Sequence, residues 1–394
     1  MTSADRGPAL VLRRGKDKAV RNRHHWIYSG AVQSLADVPD GSLVGVRAAD
    51  GSFLGHAYVN RRCSIIGRMV NFDERPPLEA IEDTLDRALA LRARFFDAAT
   101  SAFRLVNAEG DGMPGLVVDR YGEVLVLQVS TLGMERLKPD IVRSLVRRMA
   151  PRSVYEKSNV PSRREEGLPM FEGHLFGEEV STLEVFENGL RFLIDIPASQ
   201  KTGFYLDQRE MRSLARSLAP GRRVLNAFSY TGGFSVFALA GGASAVDSVD
   251  ASESALAMAR ENCRLNGFAE SPEVRFFQAD VFDFIRERYI DYDLVILDPP
   301  AFAKRKEDAV RACRGYKDLH RVVFQKIPAS TLVMTFSCSF FVDETLFRQV
   351  IFQASREASR NVRILQRHHH AYDHPLNIYH PESDYLKGFL LYVD

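Results

Sequence analysis

Hydrophobic positions along the chain follow two rhythms. From Gly221 onward, the short apolar runs RRVLNAF, SAVDSVD, EVRFFQA, YDLVILD and STLVMTF alternate with segments whose apolar residues recur at helical spacing. The clearest of these segments are SESALAMARENCRLN and DETLFRQVIFQASREA. In the second, Leu346, Phe347, Val350, Ile351 and Ala354 fall on one face of a helix. Strands separated by helices predict an α/β fold, a parallel sheet covered by helices on both faces.

The earlier part reads differently. Gly41 to Val70 carries short β-type runs punctuated by glycine, with Asp50-Gly51 as a hairpin signal, and predicts a small β-rich module. Pro76-Pro77 marks a boundary. LEAIEDTLDRALALRARFF then places Leu78, Ile81, Leu85, Ala88 and Leu89 at helical spacing. GLVVDRYGEVLVLQVS reads as two strands around a Tyr121-Gly122 turn. A helix near Glu135 to Met149 and a strand at RSVYEK complete a mixed α+β segment. NVPSRREEGLPMFEGHLFGEE has no periodicity and reads as a long loop; Phe186 to Phe192 reads as a hairpin with Asn188-Gly189 at its tip. The division expected is a β-rich module over 1–72, an α+β domain over 73–190 and the α/β domain over 191–394.

Composition narrows the class. A chain of 394 residues, 45% apolar and 26% charged, fits a soluble protein of two or three domains. Cys63, Cys263, Cys313 and Cys338 form no C-x-x-C pair, which argues against a disulfide framework or a thiolate zinc site and fits a reducing compartment. The opening MTSADRGPALVLRRG has no signal-peptide segment, and no run approaches the roughly eighteen apolar residues of a membrane span. A cytoplasmic protein with no membrane partner is the expectation. Charge is uneven: Met1 to Phe72 holds 11 Lys and Arg against 5 Asp and Glu, a balance of +6, leaving −5 for the rest of a chain whose net charge is +1. A basic module on an acidic body suits contact with phosphates, although a solvated surface gives the same count.

Ligands of parallel α/β sheets bind beyond the carboxyl ends of the strands, so the residues ending each run carry the chemistry. The first run leads into NAFSYTGGFSVFALA, where Ser229 to Gly233 form a glycine-containing turn into a helix. This is not G-x-G-x-x-G, which disfavours a nicotinamide dinucleotide. Asp250 ends the second run, placed for ribose hydroxyls; Asp280 ends the third, placed for an adenine amino group; Asp298-Pro299-Pro300 ends the fourth. Any one such acid is ordinarily a turn or cap residue. Three at successive strand ends, behind a glycine turn, describe S-adenosylmethionine on a class I methyltransferase fold.

The stretches QKTGFYLDQRE, LNAFSYTGGF, LDPPAF, ACRGYKDLH, TFSCS and DYLKGF resemble the bacterial ribosomal RNA methyltransferases that make 5-methylcytosine in large-subunit RNA. RRHHWIYSGAV, spanning about Arg23 to Val32, is similar to the opening of that family's N-terminal PUA domain, and NAEGDGMPGLVVDRYG to its middle domain. The resemblance implies a mostly parallel, seven-stranded Rossmann-like sheet preceded by a PUA domain and an α+β domain. It implies that Lys201, Thr202, Gly203, Phe204 and Tyr205 sit beside the cofactor and that Asn226, Ser229, Thr231 and Gly232 form the loop at its methionine end. Asp250 would hold the ribose, Asp280 and Val281 the adenine, and Asp298 the border with the target base.

Cys338 is then the nucleophile. C5 of cytosine is a poor nucleophile; a thiolate adding to C6 makes it enamine-like, and loss of the C5 proton later expels the thiolate. Asp298 would bind or protonate the pyrimidine edge, and Phe302 or Phe340 would stack on a base drawn from its helix. Cys63, read as lying in a strand, and Cys263, read on a helical core face, are structural thiols. Cys313 lies among Lys304, Arg305, Lys306, Arg311, Arg314, Lys317 and Arg321; of these Lys304, Arg314 and Lys317 are the candidates for clamping RNA phosphates, with Arg13, Arg14, Arg21 and Arg23 in the N-terminal module. His368, His369, His370 and His374 lack a zinc-ligand spacing, so no metal is expected.

The chain departs from the family pattern in three places. Phe340 stands where a glycine is expected two residues after the cysteine, PASQKTGF has Ala-Ser where a glycine is common, and Pro300 occupies the place of the second cysteine of many RNA 5-methylcytosine enzymes. Rival readings are another acceptor, uracil C5 or a guanine nitrogen, and a non-catalytic RNA-binding assembly factor, which Phe340 alone supports. The partner expected is large-subunit ribosomal RNA or its assembly intermediate. The sequence leaves the oligomeric state open, a homodimer included.

Overall fold

Asn188 and Gly189 both take positive φ, 51° and 79°, and close the hairpin between Thr182–Glu187 and Leu190–Asp195. The computed structural model describes residues 7–268, 273–287, 291–303, 305–368 and 370–394. Lys304 and His369 lie outside the described residues. The chain forms two units: Met1–Phe186 with Ile194–Leu206 and Tyr372–Ser383, and Glu187–Leu193 with Asp207–Ala371 and Asp384–Asp394.

The first unit holds two sheets. One has six strands in the order Trp26–Tyr28, Ile65–Asn71, Phe53–Val59, Leu43–Arg47, Ala9–Leu12, Val32–Leu35. The Asp50-Gly51 turn joins two antiparallel neighbours, with Asp50 Oδ1 accepting from the Ser52 amide at 2.9 Å. Leu10, Leu12, Val44, Val46, Ala57 and Met69 form the core of this sheet. The other sheet has five strands, ordered Phe171–Gly177, Ser153–Ser158, Val124–Val129, Leu116–Tyr121, Ala102–Asn107. The helix Pro77–Arg92 buries Ile81, Leu85 and Ala88 in the core of this second sheet and leaves Leu78 exposed.

Three sequence expectations change here. The stretch read as one long loop contains the short helix Ser162–Glu165 and the strand Phe171–Gly177. That strand pairs on one side only and buries no residue, so it has no alternation to read. Cys63 lies in a bend before Ile65–Asn71, not in a strand. Residues 372–383 join the first unit although they follow most of the α/β domain. There Asp373 accepts from the Arg104 amide at 2.8 Å, and Arg92 donates to the Asp373 carbonyl at 2.7 Å.

The second unit is built on seven strands: β1 Arg223–Ala227, β2 Ala245–Asp250, β3 Val274–Gln278, β4 Leu294–Leu297, β5 Thr331–Ser337, β6 Val362–Arg367 and β7 Lys387–Val393. Their spatial order is β3-β2-β1-β4-β5-β7-β6. The first five run parallel, and β7 enters antiparallel between β5 and β6. The helices are α1 Arg209–Leu218, α2 Gly233–Ala240, α3 Glu253–Leu265, α4 Val281–Glu287, α5 Ala309–Lys326 and α6 Glu344–Glu357. Phe347, Val350, Ile351 and Ala354 of α6 are buried as the spacing requires, and Cys263 is fully buried on α3. The strand order reverses between β1 and β4, so their carboxyl ends open a crevice there. Among the described residues, no helix is long and apolar enough to cross a membrane.

Candidate active site

The chain leaves β1 through Phe228-Ser229-Tyr230-Thr231-Gly232 and enters α2. Phe228 and Tyr230 hold φ of 62° and 47°, left-handed values that cost a non-glycine residue about 1 kcal/mol each. Gly232 holds 78°, and a Cβ there would meet that of Ala259 at 2.9 Å, so only glycine allows α3 to pack so closely. The strained loop is tied down from β2: Asp250 Oδ2 accepts from the Tyr230 amide at 2.8 Å and Oδ1 from the Ser252 amide at 2.9 Å. Asn262 Nδ2 adds a bond to the Thr231 carbonyl at 2.9 Å.

Two polar groups at this loop are buried without a hydrogen-bond partner among the described residues. Asn226, 1% exposed, donates Nδ2 to Ser235 Oγ at 2.8 Å, but its Oδ1 accepts nothing. Ser229 Oγ, on a residue 5% exposed, is equally unmatched. Such groups cost about 1–3 kcal/mol apiece unless a ligand completes them. A zwitterionic amino-acid end supplies the donors and acceptors they need, and each oxygen of Asp250 keeps a lone pair for a ribose hydroxyl. The residues present therefore fit S-adenosylmethionine.

Not every predicted residue stands on this loop. Asp280 is exposed and caps α4, its Oδ1 accepting from the amides of Phe282 at 2.8 Å and Asp283 at 3.1 Å. The Val281 side chain is buried in the core. Lys201 to Tyr205 belong to the first unit. There Thr202 bonds Asp119, the Phe204 amide donates to Tyr121 Oη at 3.0 Å, and Lys201 lies over the Tyr205 ring at 4.2 Å.

Beyond β4 and β5 lies the second cluster. These strands are parallel neighbours, with Leu297 beside Thr335, so Asp298 and Cys338 leave the sheet at the same edge. Asp298 Oδ2 accepts from Gln208 Nε2 at 3.2 Å. Ser337 and Ser339 are fully buried on either side of Cys338 and turn to Tyr316: Ser337 donates to Tyr316 Oη at 3.0 Å, and that hydroxyl lies 3.1 Å from Ser339 Oγ. Ser339 Oγ also accepts from the Ala303 amide at 3.2 Å. With alternate side chains fixed one way, Cys338 faces the other, half-buried and reduced, against the cluster of Phe336, Leu386 and Leu390. Burial pushes the Tyr316 hydroxyl up to about 12, so it stays a neutral donor. His320, one turn on, donates or accepts at Thr335 Oγ1 at 2.8 Å, and burial lowers its pKa to about 4.

ACRGYKDLH thus has two faces. Its buried side, Tyr316 and His320, braces β5, a role invisible beneath its charges. On its outer side Lys317 pairs with Glu357 at 2.7 Å, while Arg314 is exposed with no ion-pair partner among the described residues. Burial raises the pKa of the Cys63 thiol to about 11 and that of Cys263 to about 12, and raises that of Cys313 as well. Phe340 is 55% exposed and not at positive φ, so the expected glycine is not required by backbone conformation. Phe302 is committed to Tyr316, ring centroids 4.5 Å apart.

In the first unit Arg13, Arg14, Arg21 and Arg23 are all exposed. Arg13 Nε donates to the Val32 carbonyl at 2.9 Å, and Arg21 pairs with Asp17 at 2.5 Å. Arg21, Asn22, Arg23, His24, Ile378 and Tyr379 line a groove of about 540 Å³. Of the C-terminal histidines, His370 meets Asp384 at 2.9 Å and His374 meets Asp373 at 2.8 Å.

Comparison with known proteins accords with this geometry. Residues 170–368 match the S-adenosylmethionine-dependent methyltransferase family model, and residues 10–72 match a PUA-like domain. Proteins named ribosomal RNA large subunit methyltransferase I are similar over nearly the whole chain. That of Shewanella denitrificans is 36% identical, covering 98% of this chain and 99% of its own; that of Alteromonas mediterranea is 38% identical, covering 98% of each. A methyltransferase crystallised with SAH shares the fold, with a TM-score of 0.84 and 24% identity over 98% of this chain and 99% of its own. An S-adenosylmethionine-dependent methyltransferase from Streptococcus mutans does so at 0.82 and 23%, with the same coverage. With a family model spanning half its length and full-length relatives well above 30% identity, the chain belongs to the S-adenosylmethionine-dependent methyltransferases that include ribosomal RNA large subunit methyltransferase I.

Proposed function

We propose that this protein methylates C5 of a cytosine in large-subunit ribosomal RNA through a covalent adduct at Cys338. The observation that carries the reading is the Ser337-Cys338-Ser339 exit from β5, where both serines are anchored and the thiol between them leaves the sheet at the same edge as Asp298. The names of the full-length relatives support ribosomal RNA as the substrate.

Asn226, Ser229, Thr231, Gly232 and Asp250 would hold S-adenosylmethionine, which when bound supplies an electrophilic methyl group. The Cys338 thiolate adds to C6 of the target base and raises electron density at C5. Asp298, oriented by Gln208, engages the pyrimidine edge so that C6 accepts the thiolate. Phe340, exposed beside the thiol, stacks on the base. After transfer, loss of the C5 proton restores the ring and expels the thiolate. Pro300 leaves release to that proton loss alone, without a second cysteine. Residues 1–72 and 73–190 act as RNA-holding modules ahead of the methyltransferase domain over 191–394, in the cytoplasm, on ribosomal RNA or an assembly intermediate. Arg13, Arg14, Arg21, Arg23, Arg314 and Lys317 contact phosphates.

Nucleoside mass spectrometry of ribosomal RNA from cells with and without the gene tests this. Loss of one 5-methylcytidine from large-subunit RNA is the expected result. Loss of a methyluridine or methylguanosine instead moves the acceptor, and an unchanged profile makes the protein a non-catalytic RNA binder.

A further inference from the structure

DYLKGF supplies a lysine to the strand beside the cysteine. Lys387 opens β7 opposite Ser337 in the antiparallel β5–β7 ladder, so its stem leaves the sheet on the Ser337 face and its ammonium reaches past the strand end to the residue that follows Cys338. Its side chain is 8% exposed, unusual for a residue whose ammonium is almost always in water. The ammonium donates to the Ser339 carbonyl at 2.8 Å and to the Tyr385 carbonyl at 2.7 Å. One bond grips the residue that follows Cys338; the other grips the turn entering β7.

Two neutral carbonyls do not compensate a buried cation. We propose that Lys387 is the positioning residue for Cys338, bracing its loop through Ser339 and stabilising its thiolate as the local counter-cation. This rests on Cys338 being the nucleophile. The charge relations agree: burial lowers the lysine's pKa, and Cys338 is the foremost of the anionic groups opposing that, ahead of Asp384 and Asp343. The stabilisation is mutual, so the cation that gains from a thiolate also lowers the cost of forming it. Among the described residues, the titratable groups bearing on this corner include Lys387 from β7, Tyr316 from α5, Asp298 at the exit of β4, Asp343 at the start of α6, Asp384 with its partner His370, and Asp207, which accepts from Tyr385. Lys387 is the ammonium among them. Tyr316 stays protonated, and the carboxylates work against the thiolate. On ionisation the S–H bond breaks and its proton passes to solvent.

The test is the pH profile of Cys338 alkylation by iodoacetamide, read peptide by peptide by mass spectrometry on the full-length protein. Wild type is compared with Lys387→Met and Lys387→Arg, with thermal unfolding as the fold control. In Lys387→Met the midpoint should rise by about one pH unit, a tenfold loss of thiolate below the midpoint, and Lys387→Arg should recover most of it. An unchanged midpoint in folded Lys387→Met would leave the lysine a loop brace and overturn the proposal. Should Lys387→Met not fold, wild type decides alone against Cys313, whose pKa burial raises. Cys338 must be alkylated at clearly lower pH than Cys313; equal midpoints overturn the assignment. Methyl transfer by Cys338→Ala would sink the nucleophile reading instead, and the alkylation profile distinguishes that failure from a failure of Lys387.

Discussion

Ser337 donates its hydroxyl hydrogen to Tyr316 Oη at 3.0 Å, and through this bond α5 fixes the end of the strand that presents Cys338. The same oxygen reaches Ser339 at 3.1 Å, so one phenol holds the residues on both sides of the thiol. Tyr316→Phe keeps the ring packed against Phe302 and Phe347 and removes only the hydroxyl. Stability should fall by about 1–3 kcal/mol, the cost of two buried serine hydroxyls losing a partner. Methyl transfer should fall tenfold or more in kcat with unchanged S-adenosylmethionine affinity. Calorimetry and steady-state kinetics on the folded variant check both, and equal losses in kcat and cofactor affinity would show a general disturbance of the sheet.

Cys338→Ala should abolish methyl transfer while S-adenosylmethionine still binds, because the contacts proposed for the donor come from β1, β2 and the loop after β1. RNA carrying 5-fluorocytosine at the target should trap wild-type protein as a covalent adduct, since fluorine does not leave C5 as a proton does, and should trap none of the alanine variant. Denaturing gels read the adduct directly. Substantial turnover by Cys338→Ala would move the reading to a direct transfer onto a nitrogen.

Asn226→Leu should weaken S-adenosylmethionine binding by roughly 1–3 kcal/mol, measured calorimetrically, because it removes the buried acceptor that has no protein partner. Asp250→Ala should cost at least as much, since it also releases the Tyr230 amide that holds the strained loop. Undiminished affinity in folded Asn226→Leu would take that residue out of the cofactor site.

The proposed sites were legible to unequal depth. The strand ends could be read because apolar runs and the residues terminating them are local features; Asn226, Asp250, Asp298 and Cys338 all follow from that register. Tyr316 and His320 escaped notice because they lie on the buried face of a helix whose exposed face carries the charges. Lys387 stood in a quoted motif without a role, since its burial depends on β7 inserting antiparallel beside β5. The return of 372–383 to the first unit depends on contacts such as Arg104 with Asp373, far apart in sequence, that no local pattern encodes. At Asp280 the pattern of strand ends suggested a ligand contact, and its side chain also serves locally as a helix cap.

Acid should destabilise the fold through its buried imidazoles. Burial lowers the pKa of His320 to about 4 and that of His25 to about 3, against about 6.5 in an unfolded chain. As pH falls below about 6.5 the unfolded chain takes up protons that the folded state refuses, so stability is complete above that value and declines toward pH 4. For His320 alone the loss is on the order of 3 kcal/mol. His320→Gln should be less stable than wild type at pH 7 but show a flatter decline between pH 6.5 and 4 in thermal unfolding. A parallel decline would remove His320 as a source of the acid sensitivity.

The N-terminal arginines should reveal themselves through salt. Each phosphate contact releases counterions, so the logarithm of RNA affinity falls with the logarithm of salt by roughly 0.7–0.9 per contact. Neutralising Arg13, Arg14, Arg21 and Arg23 together to glutamine should weaken RNA binding and flatten that slope, with S-adenosylmethionine affinity intact as the control. The four should not contribute equally. Arg21 already pairs with Asp17 at 2.5 Å, so it releases less counterion on meeting a phosphate, and removing it leaves an unpaired carboxylate that repels the backbone. Arg14 and Arg23 are exposed without such an ion pair among the described residues, and Arg23 shares its groove with Ile378 and Tyr379. Arg14→Gln and Arg23→Gln should therefore each lower the slope, while Arg21→Gln should weaken binding with a smaller change in slope. Filter binding across a salt series separates these outcomes. A slope untouched by the fourfold substitution would mean that the basic balance of the module is solvated surface charge and that RNA is gripped elsewhere, with exposed Arg314 on α5 the next position to neutralise.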